Sequence, residues 1–312
     1  MLTKELFSIC TFYAISPIHA GSGAATSTVD LPIQRERHTN WPHIQASGVK
    51  GAMRDHYRKF VKGEDKYLTN LIFGIDENND GDVINKDGEI IKDKDNEKLK
   101  SLAGAISISD AKLLAFPMRS NIAPFIWVTC SSILKRLKND LEFAGFNPLE
   151  NVPPLNNEEA VVINGNGQLS GDIRDIILED AVVTIKSANS VPKLPSGFPK
   201  TERLLLISDE MFDYCVSSCT EIQTQIKIDS STGTAQDGAL RYQELLPSDT
   251  LMYSIVYYSK SAELNELQAT TIQGHIEDVI KDFIQIGGDE TLGRGICKIT
   301  WSKSGKGMGG AK

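Results

Sequence analysis

The 312-residue chain has no apolar run that approaches bilayer length, and Lys4 and Glu5 precede its first strand-like run. Neither membrane insertion nor secretion is expected, and the chain is assigned to the cytoplasm. Cysteine is scarce, five residues at irregular spacings, which excludes a disulfide framework or a paired zinc motif. Cys10, Cys130 and Cys297 stand in apolar strand-like runs and read as small buried hydrophobes. Cys215 and Cys219 lie four apart on an expected helix but have no companion pair of ligands. The sequence also lacks a Gly-x-Ser-x-Gly elbow, a Walker lysine loop and a His-Glu-x-x-His helix, the residues that serine hydrolases, P-loop NTPases and zinc proteases require. Gly293-Arg294-Gly295 precedes a strand and lacks a third glycine, so it is no dinucleotide fingerprint. A small phosphorylated ligand stands as an alternative.

A basic excess is missing too: 33 Lys and Arg against 41 Asp and Glu give a net charge of −8. That argues against nucleic acid, since phosphate contacts need cations. The distribution answers the objection. Residues 31–62 hold seven bases against two acids, whereas residues 63–100 hold eleven acids against six bases.

The basic segment adjoins a glycine-rich stretch, His19-Ala20-Gly21-Ser22-Gly23, which is followed by Asp30-Leu31-Pro32-Ile33-Gln34-Arg35-Glu36 and Ser47-Gly48-Val49-Lys50-Gly51. Glycines let a backbone approach a ligand closely, and a lysine where a helix opens adds charge beside free N–H groups. A second element, Gly287-Gly288-Asp289-Glu290-Thr291-Leu292-Gly293-Arg294-Gly295, lies near the far end. Two phosphate-cradling segments so far apart point to an extended polyanion.

Alternation of Phe7, Ile9, Tyr13 and Ile15 predicts a strand over about 5–16. Ser47 fits the N-cap of a helix running to Phe60, with Val49, Met53, Tyr57 and Phe60 inward and Lys50, Arg54, Arg58 and Lys62 forming a basic face. Residues 76–100 form an acidic insertion. Within it Asp76, Asn78, Asp80, Gly81, Asp82 and Asp87 follow calcium-loop spacing, with aspartate where the last ligand is usually glutamate. Ca²⁺ and a solvated acidic loop are both readings of this segment.

Strands are expected at 104–109 and 123–130, a helix at Leu134–Phe143, and loops at 147–157 and 187–200. Next come a helix over Asp209–Cys219, a strand over Thr220–Ile228, the turn-rich residues 229–238 and a returning strand over Leu240–Leu246, which together form a hairpin. A strand at Tyr253–Tyr258, a helix at Ile272–Ile284 and a strand at Ile296–Trp301 complete the pattern, with a flexible tail over 302–312. In the helix, Ile276, Val279, Ile280 and Phe283 are expected to face inward. Interleaved strands, helices and hairpins make an α+β fold.

The two glycine elements, together with Asp110-Ala111-Lys112-Leu113-Leu114-Ala115-Phe116-Pro117-Met118-Arg119-Ser120, Phe125-Ile126-Trp127-Val128-Thr129-Cys130 and Gly238-Ala239-Leu240-Arg241-Tyr242-Gln243-Glu244-Leu245-Leu246-Pro247, resemble the RAMP superfamily of CRISPR proteins. Within it they resemble the backbone subunit of the type III-B Cmr effector complex. The resemblance implies a single RAMP domain over 1–312 with a modified ferredoxin-like, RNA-recognition-type core and a projecting thumb at 221–246. It implies binding to guide CRISPR RNA, complementary target RNA, further copies of the chain and other Cmr subunits.

It further implies that Asp30 is catalytic in a Mg²⁺- or Mn²⁺-dependent cleavage of target RNA at regular intervals. The implied RNA-binding residues are His19, Gly21, Gly23, Lys50, Arg54, Arg58, Arg241, Gly287, Gly288 and Arg294. Glu36 reads as an ion-pair partner of Arg35 or Arg37 ahead of a metal ligand, His19 as an RNA backbone contact ahead of a general acid or base, and His38, His43 and His56 as structural residues or RNA contacts. Glu244 reads as a surface carboxylate that can also approach the cleavage site. The alternatives are a non-catalytic guide-RNA scaffold and the equivalent type III-A subunit.

Overall fold

The computed structural model describes residues 6–23, 29–75, 83–92, 96–99, 101–149, 152–165, 169, 174–188, 190–195, 198, 202–260 and 267–303. The chain opens with β1 (Leu6–Ala14), β2 (His43–Ile44), α1 (Ala46–Phe60), α2 (Leu68–Phe73), β3 (Gly74–Ile75), β4 (Leu102–Ala103) and β5 (Ile106–Ile108). It continues with β6 (Ala111–Met118), β7 (Ile126–Cys130), α3 (Ser131–Phe143), β8 (Glu159–Gly165), β9 (Asp175–Leu178), β10 (Ala181–Ile185), β11 (Arg203–Ile207) and α4 (Asp209–Ser218). It closes with β12 (Glu221–Gln225), β13 (Arg241–Leu245), β14 (Leu251–Tyr258), α5 (Ala269–Val279), β15 (Phe283–Gln285) and β16 (Ile296–Lys303).

Among the described residues a twelve-stranded mixed sheet runs β15-β16-β1-β14-β6-β7-β11-β8-β10-β9, with β2 beside β6 and β5 beside β14. β1 lies between β14 and β16, antiparallel to both. Its residues are buried on both faces, unlike the half-exposed alternation expected, and Ile15 falls just past its end, 46% exposed. Central strands covered on both faces lose the polar half of the period. For the same reason β6, an apolar run that includes Pro117, is a strand that periodicity alone does not reveal. Strands β8 to β11 were likewise not anticipated.

α1 buries Val49, Met53 and Tyr57 as expected, whereas Phe60 is 67% exposed and stacks on His56. The helix starts two residues earlier than the Ser47 cap predicts, with Gln45 at the cap position. Its first amide is held from a distance: Ala46 N–H donates to Asp110 Oδ1 at 2.7 Å, a partner local sequence rules do not supply. α5 is shorter than predicted. It ends at Val279, and Phe283 lies in β15, half exposed instead of inward.

The acidic insertion leaves through a two-stranded neck in which Gly74 pairs with Ala103 and Ile75 with Leu102. Gly74 has φ +87°, and a Cβ there would stand 2.7 Å from Leu102 O, so the neck requires glycine. Asp76, Asn78, Asp80 and Asp82 of the calcium-loop expectation lie outside the described residues. Asp87 is exposed in a turn where its N–H donates to Asn85 Oδ1 at 3.0 Å. At the other end β16 takes in Ser302 and Lys303, while the rest of the expected tail lies outside the described residues.

Candidate nucleic-acid interface

β12 and β13 pair only with each other as named strands, from Glu221↔Leu245 to Gln225↔Arg241. Opposed residues share a face. One face carries Gln223 with Gln243 and Gln225 with Arg241; the other carries Thr224 with Tyr242 and Ile222 with Glu244. Ile222, Ile226, Ile228, Leu240 and Tyr242 are exposed.

The outer edge of β13 holds the segment that carries Asp30. Leu31 bridges Gln243 in parallel, Leu31 N–H donates to Tyr242 O at 3.1 Å, and Glu244 N–H donates to Leu31 O at 3.0 Å. Asp30 Oδ2 accepts the Tyr242 N–H at 2.8 Å. The half-buried Asp30 is thus seated at the base of the hairpin by a charge-assisted hydrogen bond.

Glu244 is not the surface carboxylate expected; it is 6% exposed. Its carboxylate accepts Arg35 Nη2 at 2.6 Å, Thr220 Oγ1 at 2.8 Å and Ile33 N at 3.1 Å. Burying a charge requires such saturation, and the result is a strut that fixes the loop after Asp30. Glu36 is an ion-pair residue as expected, but its partner is Arg136, bonded at 2.6 and 3.0 Å, with Thr39 Oγ1 at 2.6 Å. Burial pushes the Glu36 carboxyl up, and the hydrogen bonds and charge of Arg136, helped by Thr39 and His38, outweigh it, leaving it below its ordinary value.

The two glycine elements meet around His19, beside the same strand. His19 Nδ1 lies 2.9 Å from Glu244 O, and Gly288 N–H donates to His19 O at 2.9 Å. Gly287 has φ +92°, and a Cβ there would meet His19 O at 2.5 Å; a Cβ on Gly21 would meet His19 Nε2 at 2.9 Å. His19, Gly21, Gly287 and Gly288 therefore form one close-packed backbone site. Gly23, with φ +99°, has open space around it. The His19 ring is held by the protein backbone.

Arg294 sits beside this site with its side chain 12% exposed, its guanidinium engaged by Gln243, Asp289 and Gln223. Arg241 is exposed on β13, and Arg58 is exposed on α1. Lys50 and Arg54 are half-buried on the same helix; burial and then the Arg54 charge lower the Lys50 ammonium below its ordinary value. Lys59 ties α1 to the second glycine element, pairing with Asp55 at 2.8 Å and Glu290 at 3.6 Å.

Sequence reasoning missed Gln223, Gln243 and Asp289, because polar side chains at unrelated positions carry no spacing signal. Cys10, Cys130, Cys215 and Cys297 are buried and Cys219 is half-buried, with burial raising each thiol. Among the described residues no three His, Cys, Asp or Glu side chains converge as a metal cage. Asp30 belongs to no such cluster among the described residues. Mg²⁺ commonly binds one or two carboxylates plus substrate phosphates, so this donor set fits a hard cation that arrives with RNA.

The model of the RAMP superfamily matches residues 11–298 of this chain. The CRISPR system Cmr endoribonuclease Cmr4 of Pyrococcus furiosus is 33% identical over 296 residues, spanning 92% of this chain and 93% of that protein. The crystal structure of oligomeric Cmr4 from Pyrococcus furiosus superposes with a TM-score of 0.66 at 26% identity, covering 96% of this chain and 98% of that one. The cryo-EM structure of the Type III-B Cmr-beta bound to cognate target RNA gives a TM-score of 0.70 at 20% identity over 95% and 96% of the two chains, a likeness of fold.

Proposed function

The chain belongs to the RAMP superfamily, and from that premise we propose that it is the backbone subunit of a type III-B Cmr complex, an endoribonuclease that cleaves complementary target RNA held on guide RNA. Similarity over 92% of the chain to a protein named as a Cmr endoribonuclease supports the activity. The core is a modified ferredoxin-like fold. Support for that reading is the antiparallel order β16-β1-β14-β6, with α1 between β1 and β6 in sequence and α5 between β14 and β16. The working compartment is the cytoplasm, in keeping with the lack, among the described residues, of a helix long and apolar enough to cross a membrane.

The backbone around Gly21, Gly23, Gly287 and Gly288, with His19, Lys50, Arg54, Arg58 and Arg241, holds guide RNA by charge and shape, so many sequences are accepted. Copies of the chain line up along the guide beside other Cmr subunits. The hairpin acts as a thumb, its exposed Ile222, Ile226, Ile228 and Leu240 parting the guide–target duplex at each subunit. The kink exposes a target phosphate and swings the preceding 2′-hydroxyl in line with it, and geometry supplies much of the rate. Asp30 meets this phosphate.

The seating of Asp30 on Tyr242 N–H carries the assignment, because it holds one carboxylate beside the hairpin. A Mg²⁺ or Mn²⁺ ion bound with the RNA would stabilise charge on the phosphate. The test is a labelled complementary RNA incubated with the reconstituted complex, with and without chelator. Evenly spaced products that disappear on chelation and return with Mg²⁺ or Mn²⁺ support the reading. Tight target binding without products supports the scaffold instead. Calcium in the 76–87 loop is a separate proposal, tested by titration calorimetry; absence of heat ends it.

A further inference from the structure

We infer that Arg294 is a positioning residue for target cleavage, a clamp that locks the second glycine loop onto the hairpin and so places the Tyr242 amide that seats Asp30. The inference rests on the Asp30 assignment above and reassigns Arg294 from the RNA contact its glycine-rich setting suggests.

The guanidinium spans a cross-strand pair. Nη1 donates to Gln243 Oε1 at 2.5 Å on β13, and Nη2 donates to Gln223 Oε1 on β12. Gln223 and Gln243 are register partners, so one planar fork closes across a single rung of the hairpin. Nη1 also lies 3.2 Å from Asp289 Oδ2, which accepts Gln243 Nε2 at 2.7 Å. Gln225 Nε2 adds a second donor to Gln243 Oε1. Gln243 is 2% exposed and its amide is satisfied on both atoms.

Asp289 has φ +60°, in the left-handed region, and its carbonyl accepts Leu292 N at 2.9 Å and Arg294 N at 3.3 Å. Behind the arginine, Gln285 Nε2 donates to the Arg294 and Gly287 carbonyls at 3.3 and 3.0 Å. The loop is folded to deliver the guanidinium to the hairpin. Diverting it to an RNA phosphate would remove the donor to Gln223 Oε1 and one of two donors each to Gln243 Oε1 and Asp289 Oδ2.

Gln243 directly follows Tyr242. The clamp fixes Gln243 from one face of β13 while Tyr242 N–H meets Asp30 along the strand edge. The loop that carries Gly287 and Gly288, placed against the guide, is thereby joined through one rung to the carboxylate placed against the target.

Arginine and lysine separate this role from an RNA contact. A lysine keeps the charge a phosphate needs but cannot bridge Gln223 and Gln243 together. The experiment compares Arg294→Lys, Arg294→Ala, Gln243→Ala and the Arg294→Ala/Gln243→Ala pair in reconstituted complexes, measuring guide content, target affinity and single-turnover cleavage at saturating target. The clamp predicts target affinity within about twofold of wild type and a rate lowered about ten- to a hundredfold in both Arg294 variants. The double variant should be no slower than the worse single one.

Wild-type cleavage by Arg294→Lys, or loss of affinity with a normal saturated rate in Arg294→Ala, overturns the clamp. If Arg294→Ala does not assemble, Gln223→Ala removes one arm of the fork, and a wild-type rate there overturns it equally. Asp30→Ala run alongside separates the two readings. Normal cleavage by Asp30→Ala overturns the Asp30 assignment and the clamp's role with it, whereas loss of cleavage in Asp30→Ala with wild-type rates in the Arg294 variants overturns the clamp alone.

Discussion

Asp30 and Tyr242, 212 positions apart, are joined by a 2.8 Å hydrogen bond from the Tyr242 amide to Asp30 Oδ2. The Tyr242 carbonyl accepts Leu31 N at 3.1 Å, so both polar backbone groups of Tyr242 face the Asp30 segment instead of β12. The aspartate is thus held by a strand edge, and its placement is inherited from the hairpin.

Replacing Tyr242 by proline tests that edge. Proline removes the N–H that Asp30 Oδ2 accepts, at a position where β12 does not use it. Hydrogen bonds to charged groups contribute about 1.5–3 kcal/mol, so cleavage by Tyr242→Pro should fall about ten- to a hundredfold below Tyr242→Ala, measured in the same complex with hairpin content checked by circular dichroism.

Much of the site's chemistry could be read from sequence, but its assembly could not. Glycines, the basic helix and Asp30 announce themselves by residue type, and the turn-rich 229–238 segment marks the hairpin. The partners that organise them were hidden. Glu244 looks like any strand carboxylate until Arg35, Thr220 and Ile33 close around it. Gln243 and Asp289 meet only because the last glycine loop returns to a hairpin formed some fifty residues earlier. In the fold, helices with one apolar stripe were legible, whereas β6, buried on both faces, showed no alternation to read.

Glycine substitutions should grade with the space each position allows. Gly287→Ala places a methyl 2.5 Å from His19 O at φ +92° and should distort the guide-side loop, lowering stability by about 1–3 kcal/mol. Gly288→Ala meets His19 only at ordinary contact, 3.6 Å, and should stay within about 1 kcal/mol of wild type. Thermal unfolding of the two variants checks the order.

Glu244→Ala should destabilise the chain by about 3 kcal/mol, because it leaves the Arg35 guanidinium, 16% exposed, without its carboxylate and Ile33 N–H without an acceptor. Urea unfolding measures the loss. Glu244→Gln, which keeps the shape, should lose less.

Acid should expose the Glu36–Arg136 pair. The Glu36 carboxyl is held below its ordinary 4.5, so its stabilising contribution is fully present above pH 4.5 and is lost as pH falls through the lower folded value. Glu36→Gln should therefore be less stable than wild type at neutral pH, and the gap should narrow as pH drops below 4.5. A constant gap across that window would contradict the coupling.

The most direct measurement is cleavage of labelled complementary RNA by complexes containing wild-type or Asp30→Ala subunits, matched for guide content and target binding. The account predicts evenly spaced products from wild type and none from Asp30→Ala. Unchanged cleavage by Asp30→Ala would contradict it.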